Sequence, residues 1–186
     1  MSNYRRWYVT GGTYFFTLVS YRRHHLFNND VARNLLGNAI REIAAVMPLK
    51  TVATVLLPDH MHCVWTLPPG HADYSTRWKE IKSLFTTRWL ESGGREKPVT
   101  SAQASRGNRG VWQKRFWEHV VDTEEELERV CDYIHYNPVK HGYVKRPGDW
   151  PWSSFHRFVR EGQYAIDWGR SEPTSVRGLE KVLRDV

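Results

Sequence analysis

Two short apolar segments, "KTVATVLL" (50–57) and "HCVWTLP" (62–68), are separated only by "PDHM". Four residues cannot hold a crossover helix, so the two segments must pair as an antiparallel hairpin rather than side by side in parallel. A lone hairpin is marginal in water and needs more strands and a covering layer. The flanking sequence offers both.

Upstream, "GGTYFFTLVSY" (11–21) reads as a strand entered through two glycines. "VARNLLGNAIREIAAVM" then places Val31, Leu35, Leu36, Ile40, Ile43 and Ala44 at helical spacing, with Asn29 or Asp30 as cap and Pro48 as stop. Downstream, residues 75–91 form a second amphipathic helix with Ser75 as the expected cap. "VWQKRFWEHVVD" offers a further strand, and Glu124 to Asn137 a third helix that Pro138 should end. The order β-α-β-β-α-β-α predicts an α+β chain on the ferredoxin-like split β-α-β plan, an antiparallel sheet with helices on one face and the other face left for a site. Residues 1–140 are read as the domain. Residues 141–186 are read as an aromatic, basic C-terminal tail packing on it, and the polar, glycine-rich segment 92–110 as a mobile loop.

Lysine and arginine total 27 against 20 acidic residues, a formal charge of +7, and arginine outnumbers lysine 19 to 8. With nine Trp, nine Tyr and seven Phe, the chain carries many planar cations and aromatic faces, a composition suited to nucleic acid and equally found in basic soluble proteins. Cys63 and Cys131 have no CxxC spacing, which predicts free thiols in a reducing compartment. No apolar run reaches membrane-spanning length, and the start has no apolar core of signal-peptide type, so a cytoplasmic protein without membrane contact is expected.

In a strand, residues two apart point the same way, so His60 and His62 share one face while Met61 and Cys63 take the other. Two imidazoles can bind one divalent ion, but most such pairs are polar residues on a solvated face. On the third helix, Leu127, Val130, Cys131 and Ile134 form the buried stripe; Tyr133 and Asn137 lie on its flank one turn apart, and Tyr136 falls nearly opposite. Tyr133 is thus the tyrosine able to lean over the sheet, as a reacting group or as a boundary aromatic with a wet hydroxyl. His119 reads as a packed or solvent-facing histidine, and His135 faces away from Tyr133.

"GGTYFFTLVSYRR", "LLPDHMHCVW", "VWQKRFWEHVV", "YIHYNPVKHGYV" and "DWPWSSFHRFV", in that order, resemble the HUH superfamily of tyrosine transposases, specifically the REP-associated branch, from about Tyr4 to about Trp168. The resemblance implies cleavage and rejoining of single-stranded DNA. Tyr133 would be the nucleophile, His60 and His62 the metal-binding pair, and Asn137 a further metal ligand where other members often have glutamine. It implies Mg²⁺ or Mn²⁺ as cofactor, REP-type hairpins with unpaired flanking bases as partner, and residence near the bacterial nucleoid.

A tyrosine hydroxyl has a reference pKa of about 10 and a phosphodiester repels nucleophiles, so a divalent cation would assist both partners of the reaction. Phosphate contacts are expected from Arg5, Arg6, Arg22, Arg23, Lys114, Arg115 and Lys140, and close DNA approach at Gly11 and Gly12, which serve equally as a plain strand entry. The competing reading is a domesticated hairpin-binding protein with little turnover. A two-histidine phosphoesterase would need a second His-x-Ser/Thr motif, which the chain lacks. Monomer and homodimer both remain open, with monomer favoured.

Overall fold

The computed structural model describes residues 7–183. Its centre is a four-stranded antiparallel sheet of β1 (Thr13–Val19), β2 (Lys50–Leu56), β3 (His60–Thr66) and β4 (Trp117–Val121), in the order β2-β3-β1-β4. The β2-β3 hairpin pairs as its short connection requires, closed by Leu57 N–H donating to His60 O at 2.8 Å. β1 fits between β3 and β4, with Thr17 opposite His62 and Val19 opposite His60. This is the expected α+β, ferredoxin-like class.

Strand alternation divides the sheet into two unlike faces. Tyr14, Phe16, Leu18, Met61, Cys63 and Trp65 point to one side, where α1 (Asp30–Val46) and α2 (Tyr74–Glu91) cover them. Trp65 stacks on Trp78 of α2 with ring centroids 3.8 Å apart. Burying an aromatic pair of this size contributes several kcal/mol, so this face is the main apolar core. Asn29 caps α1 by accepting from Ala32 N–H. Arg77, buried in α2, donates to the carbonyls of Met47, Pro48 and Asp73, which satisfies its charge and ties the end of α1 to α2.

The other face is not open. α4 (Glu124–Lys140) lies across it, packing Val130, Cys131 and Ile134 on Phe15, Ala53, Val55 and Val64. Only α1 and α2 therefore share the single face expected for the helices. A helix with its own apolar stripe has to bury it, and the second sheet face is the free apolar surface in reach.

Three boundaries also differ from expectation. α2 is capped by Asp73, which accepts from Thr76 N–H at 2.9 Å, rather than by Ser75, because the buried Tyr74 already belongs to its first turn. α4 continues through Pro138 to Lys140, since the packing of the buried Asn137 and Pro138 outweighs the local penalty before proline, and His141 N–H still reaches Asn137 O. The fourth strand is only Trp117–Val121; its expected beginning instead clips the end of β1, through Tyr21 N–H to Val111 O and Gln113 N–H to Val19 O.

Segment 92–110 carries a single helical turn, α3 (Ser101–Ala104), with a Thr100–Gln103 capping box. Glu96 holds Arg109 at 2.8 Å, and Lys97 pairs with Gly110, where any Cβ would lie 1.7 Å from Lys97 O. The segment expected to be mobile is thus cross-braced in this structure.

Past α4 the chain returns to the free edge of β2. Leu56 N–H donates to Trp152 O, Ser154 N–H to Thr54 O, and Trp150 Nε1–H to Leu56 O. α5 (Phe155–Arg160) and α6 (Leu179–Val182) follow, and Phe158, Val176, Leu179 and Leu183 join the α4-side core. The tail covers an edge that would otherwise leave unpaired backbone groups exposed.

Candidate active site

Pairing with β1 holds β3 in register along its whole length, and pleating sends both imidazoles toward α4. His60 and His62 are 1% exposed, and their ring centroids are 4.9 Å apart. Each ring is fixed by its Nδ1. His60 Nδ1–H donates to Asp59 Oδ1 at 2.6 Å, since a carboxylate only accepts, and the bond leaves Nε2 for another partner. His62 Nδ1 meets Thr17 Oγ1 at 2.9 Å, and the ring stacks on Phe15.

Asp59 itself is held by Arg23 at 2.6 Å. Burial would raise its pKa, but the bonds from His60 and Arg23 outweigh burial and bring it down to about 2, so the carboxylate stays charged. A carboxylate on the far nitrogen of a histidine is the usual outer support of a metal-binding imidazole. "PDHMH" therefore contained one more participant than the histidine spacing revealed.

α4 lays a second row of side chains against this pair. Tyr133 is 2% exposed, with its ring 5.7 Å from that of His62 and edge-on to it. Lys140 Nζ lies 5.1 Å from the Tyr133 ring centroid. Asn137 is fully buried, and neither its Oδ1 nor its Nδ2 has a hydrogen-bond partner among the described residues. One turn further, at the helix cap, the His141 ring lies 5.4 Å from that of His60. Tyr133, Asn137 and His141 follow a four-residue spacing and share one stripe. That spacing was the signal that could have found His141, and the expected helix end at Asn137 concealed it. Tyr136 points instead toward the tail-side core.

Among the described residues, no three His, Cys, Asp or Glu side chains cluster as a metal cage. The donor set here is two imidazoles and one carboxamide. The His60 Nε2 is also buried without a hydrogen-bond partner among the described residues. Leaving such polar atoms unmatched costs about 1–3 kcal/mol each, and a divalent cation would satisfy His60 Nε2 and Asn137 Oδ1, while the Asn137 Nδ2 donor needs an acceptor instead. The residues present fit such an ion.

The remaining candidates are dispersed. Arg5 and Arg6 lie outside the described residues. Gly11 takes φ +67° and Gly12 sits where a Cβ would come within 2.9 Å of Val9, so a tight turn accounts for both glycines. Arg22 and Arg23 both adopt left-handed backbone geometry; Arg22 is exposed, while Arg23 is engaged by Asp59. Lys114 and Arg115 are exposed on the chain leading into β4. His119 bonds Glu126 at the start of α4, away from the histidine pair. Cys63 and Cys131 are buried free thiols, and burial pushes the pKa of Cys131 up to about 12.

His135, on the back of α4, ties down the tail. Ser154 Oγ–H donates to its Nε2 at 2.7 Å; its Nδ1–H reaches Tyr164 Oη, which in turn donates to Asp132. Burial, with Arg157 adding to it, lowers its pKa to about 3, so the ring is neutral. No helix among the described residues is long and apolar enough to cross a membrane.

Residues 8–137 match the family model described as "Transposase IS200 like". A REP-associated tyrosine transposase of Escherichia coli (strain K12) is 43% identical over 184 residues, covering 98% of this chain and 99% of its own. A relative from Haemophilus influenzae is 39% identical, covering 96% of this chain and 99% of its own. The solved structure of a REP-associated tyrosine transposase bound to a REP hairpin has a TM-score of 0.74 and 40% identity, over 94% of this chain and 96% of that one.

Proposed function

Because this chain belongs to the IS200-like transposase family, we propose that it is a metal-dependent single-strand DNA endonuclease and strand transferase acting on REP-type hairpins. The observation that carries this reading is the Tyr133 ring 5.7 Å from His62, beside a buried donor set of His60, His62 and Asn137. The hairpin partner is carried over from the relative solved with one.

His60, His62 and the Asn137 oxygen would hold the cation, with Asp59 and Thr17 fixing the two rings. Mg²⁺ or Mn²⁺ bound there supplies Lewis acidity at a phosphate oxygen, and two imidazole donors favour Mn²⁺. Tyr133 Oη attacks phosphorus as its proton is lost, and the scissile P–O3′ bond breaks. The products are a 5′-phosphotyrosine and a 3′-hydroxyl that has gained a proton. Lys140, with its Nζ 5.1 Å from the Tyr133 ring centroid, would offer a positive charge to the phosphate. The phosphotyrosine remains a diester, so attack by a 3′-hydroxyl reverses the step and rejoins DNA without a nucleotide cofactor.

The test is incubation of the chain with a labelled REP-type hairpin carrying its unpaired flanks, in Mn²⁺. A cleaved strand and a covalent protein–DNA adduct are expected, and both should disappear in Tyr133→Phe. Hairpin binding indifferent to His60→Ala, with no adduct under any metal, would instead favour a binding protein without turnover.

A further inference from the structure

The turn Tyr21–Arg23 holds two successive arginines in left-handed backbone geometry, at φ 53° for Arg22 and 52° for Arg23. That region crowds the Cβ of any residue but glycine, and two non-glycine residues in a row are uncommon there. Such geometry persists only where the surroundings hold it. Here Ser20 N–H donates to Asp59 O at 2.8 Å, Ser20 Oγ–H to His24 O at 2.7 Å and Phe27 N–H to Pro58 O at 2.9 Å. The turn is thus fastened on both sides and laid along the loop that leads into His60. Its effect is to send the two side chains apart. Arg22 is exposed and faces a cationic groove shared by α2, this turn and the chain from 103 to 116, while Arg23 turns to Asp59.

Asp59 uses only part of the Arg23 guanidinium. A guanidinium often grips a carboxylate with two parallel N–H groups. Asp59 divides its oxygens instead: Oδ1 accepts from His60 and Oδ2 from Arg23 Nη1, each at 2.6 Å. Arg23 Nη2 is buried with no acceptor among the described residues, although 38% of the side chain is exposed. A buried donor of this kind calls for an acceptor that the chain does not supply, and the fork of a guanidinium matches phosphate oxygens. The arm left over also borders the histidine site. Burial raises the pKa of the Tyr143 hydroxyl, Asp59 adds to the rise and Arg23 opposes it, so this hydroxyl lies near both charges. The Tyr143 ring stacks on His141, whose own ring meets His60.

We infer that Arg23 holds the phosphate next to the scissile one on the unpaired strand, with Nη2 as donor, while Nη1 keeps Asp59 in place on His60. The inference rests on the reading of the chain as a single-strand DNA endonuclease and names the residue that sets the strand's path into the site. An ion on His60 Nε2 lies across the imidazole from Asp59, so the carboxylate and the ring together separate it from the guanidinium. One phosphate cannot touch both the ion and Arg23, whereas two successive phosphates of one strand can. Arg23 is then a positioning residue. It fixes the neighbouring phosphate, and that contact raises the fraction of bound strand aligned for attack by Tyr133.

The test neutralises one phosphate at a time. A labelled REP-type hairpin with its unpaired flanks is made in versions that each carry a single methylphosphonate, and equilibrium binding in Mn²⁺ is measured with the full chain as Tyr133→Phe, so that no strand is cut. The cut position is mapped separately, with Tyr133 intact and an unmodified hairpin. With Arg23 present, the methylphosphonate beside the cut should weaken binding about tenfold. Once Arg23→Gln is added, the same methylphosphonate should change affinity by less than about twofold, because the contact is already gone, while the other positions should cost the same in both chains. Those unaltered positions show that the variant still folds, and Arg23→Lys should recover part of the lost affinity through its charge. Equal costs at every position in both chains, or a coupled position in the stem, would overturn the assignment and leave Arg23 as the support of Asp59 alone. Absence of any cut would count against the enzymatic reading only, since a coupled position in an unpaired flank would still identify the phosphate that Arg23 holds.

Discussion

The two faces of the sheet are built from alternate residues of the same strands, yet they do different work. The α1–α2 face receives Phe16, Met61, Cys63 and Trp65 and is packed with large apolar rings. The α4 face receives Phe15, Thr17, His60, His62 and Val64; Thr17, His60 and His62 are polar yet buried. Burying polar groups is unfavourable unless each has a partner, and here Thr17 meets His62 and Asp59 meets His60, so the second face is the one that carries the candidate site. One face is packed almost wholly with apolar side chains, and the other mixes apolar packing with buried polar groups.

That contrast can be broken most sharply at Tyr133. Tyr133→Phe removes one oxygen and keeps the ring, so adduct formation should drop by about 10⁴-fold or more while the melting temperature barely moves; single-turnover cleavage and calorimetry together check this. Trp65→Ala on the opposite face should do the reverse. A loss of about 3–5 kcal/mol in denaturant unfolding is expected, with metal affinity retained in whatever fraction stays folded.

Asp59→Asn tests whether the outer support of His60 matters to the ion. Mn²⁺ affinity, followed by titration calorimetry without DNA, should fall about 10- to 100-fold, because the amide no longer favours the Nδ1–H tautomer as a carboxylate does. Equal affinity in the variant would make Asp59 a purely structural partner of Arg23.

The smallest effect concerns the back of α4. His135 is neutral and buried, with its pKa lowered to about 3. Below about pH 6.5 the unfolded chain takes up a proton that the folded chain refuses, so stability falls as the pH drops from 6.5 toward 3. By pH 5 the loss should reach at most about 2 kcal/mol. Unfolding curves at pH 7 and 5 should show it, and His135→Gln should flatten the difference. An unaltered pH dependence in that variant would move the effect to another group.

Much of this was legible in the chain itself. The hairpin followed from four connecting residues, the pairing of His60 with His62 on one face from strand pleating, and the preference for Tyr133 over Tyr136 from helix phase. These are local periodicities, and local geometry transmits them without knowledge of the rest of the fold. The motifs and their order were enough to suggest the family, which the family model and the relatives then showed.

Other features depended on long-range contact. That α4 crosses the second sheet face instead of leaving it open was decided by competition between apolar surfaces. His141 entered the site because α4 ran through Pro138, and Asp59, already beside His60 in the chain, gained its second partner from Arg23, 36 residues earlier. The cationic groove needed three distant segments brought together. Alternation and helical phase are properties of neighbouring residues, so the sequence alone determined which side chains share a face. Which faces meet depends on where buried area and charge are best satisfied across the whole chain, and only the tertiary structure decided that.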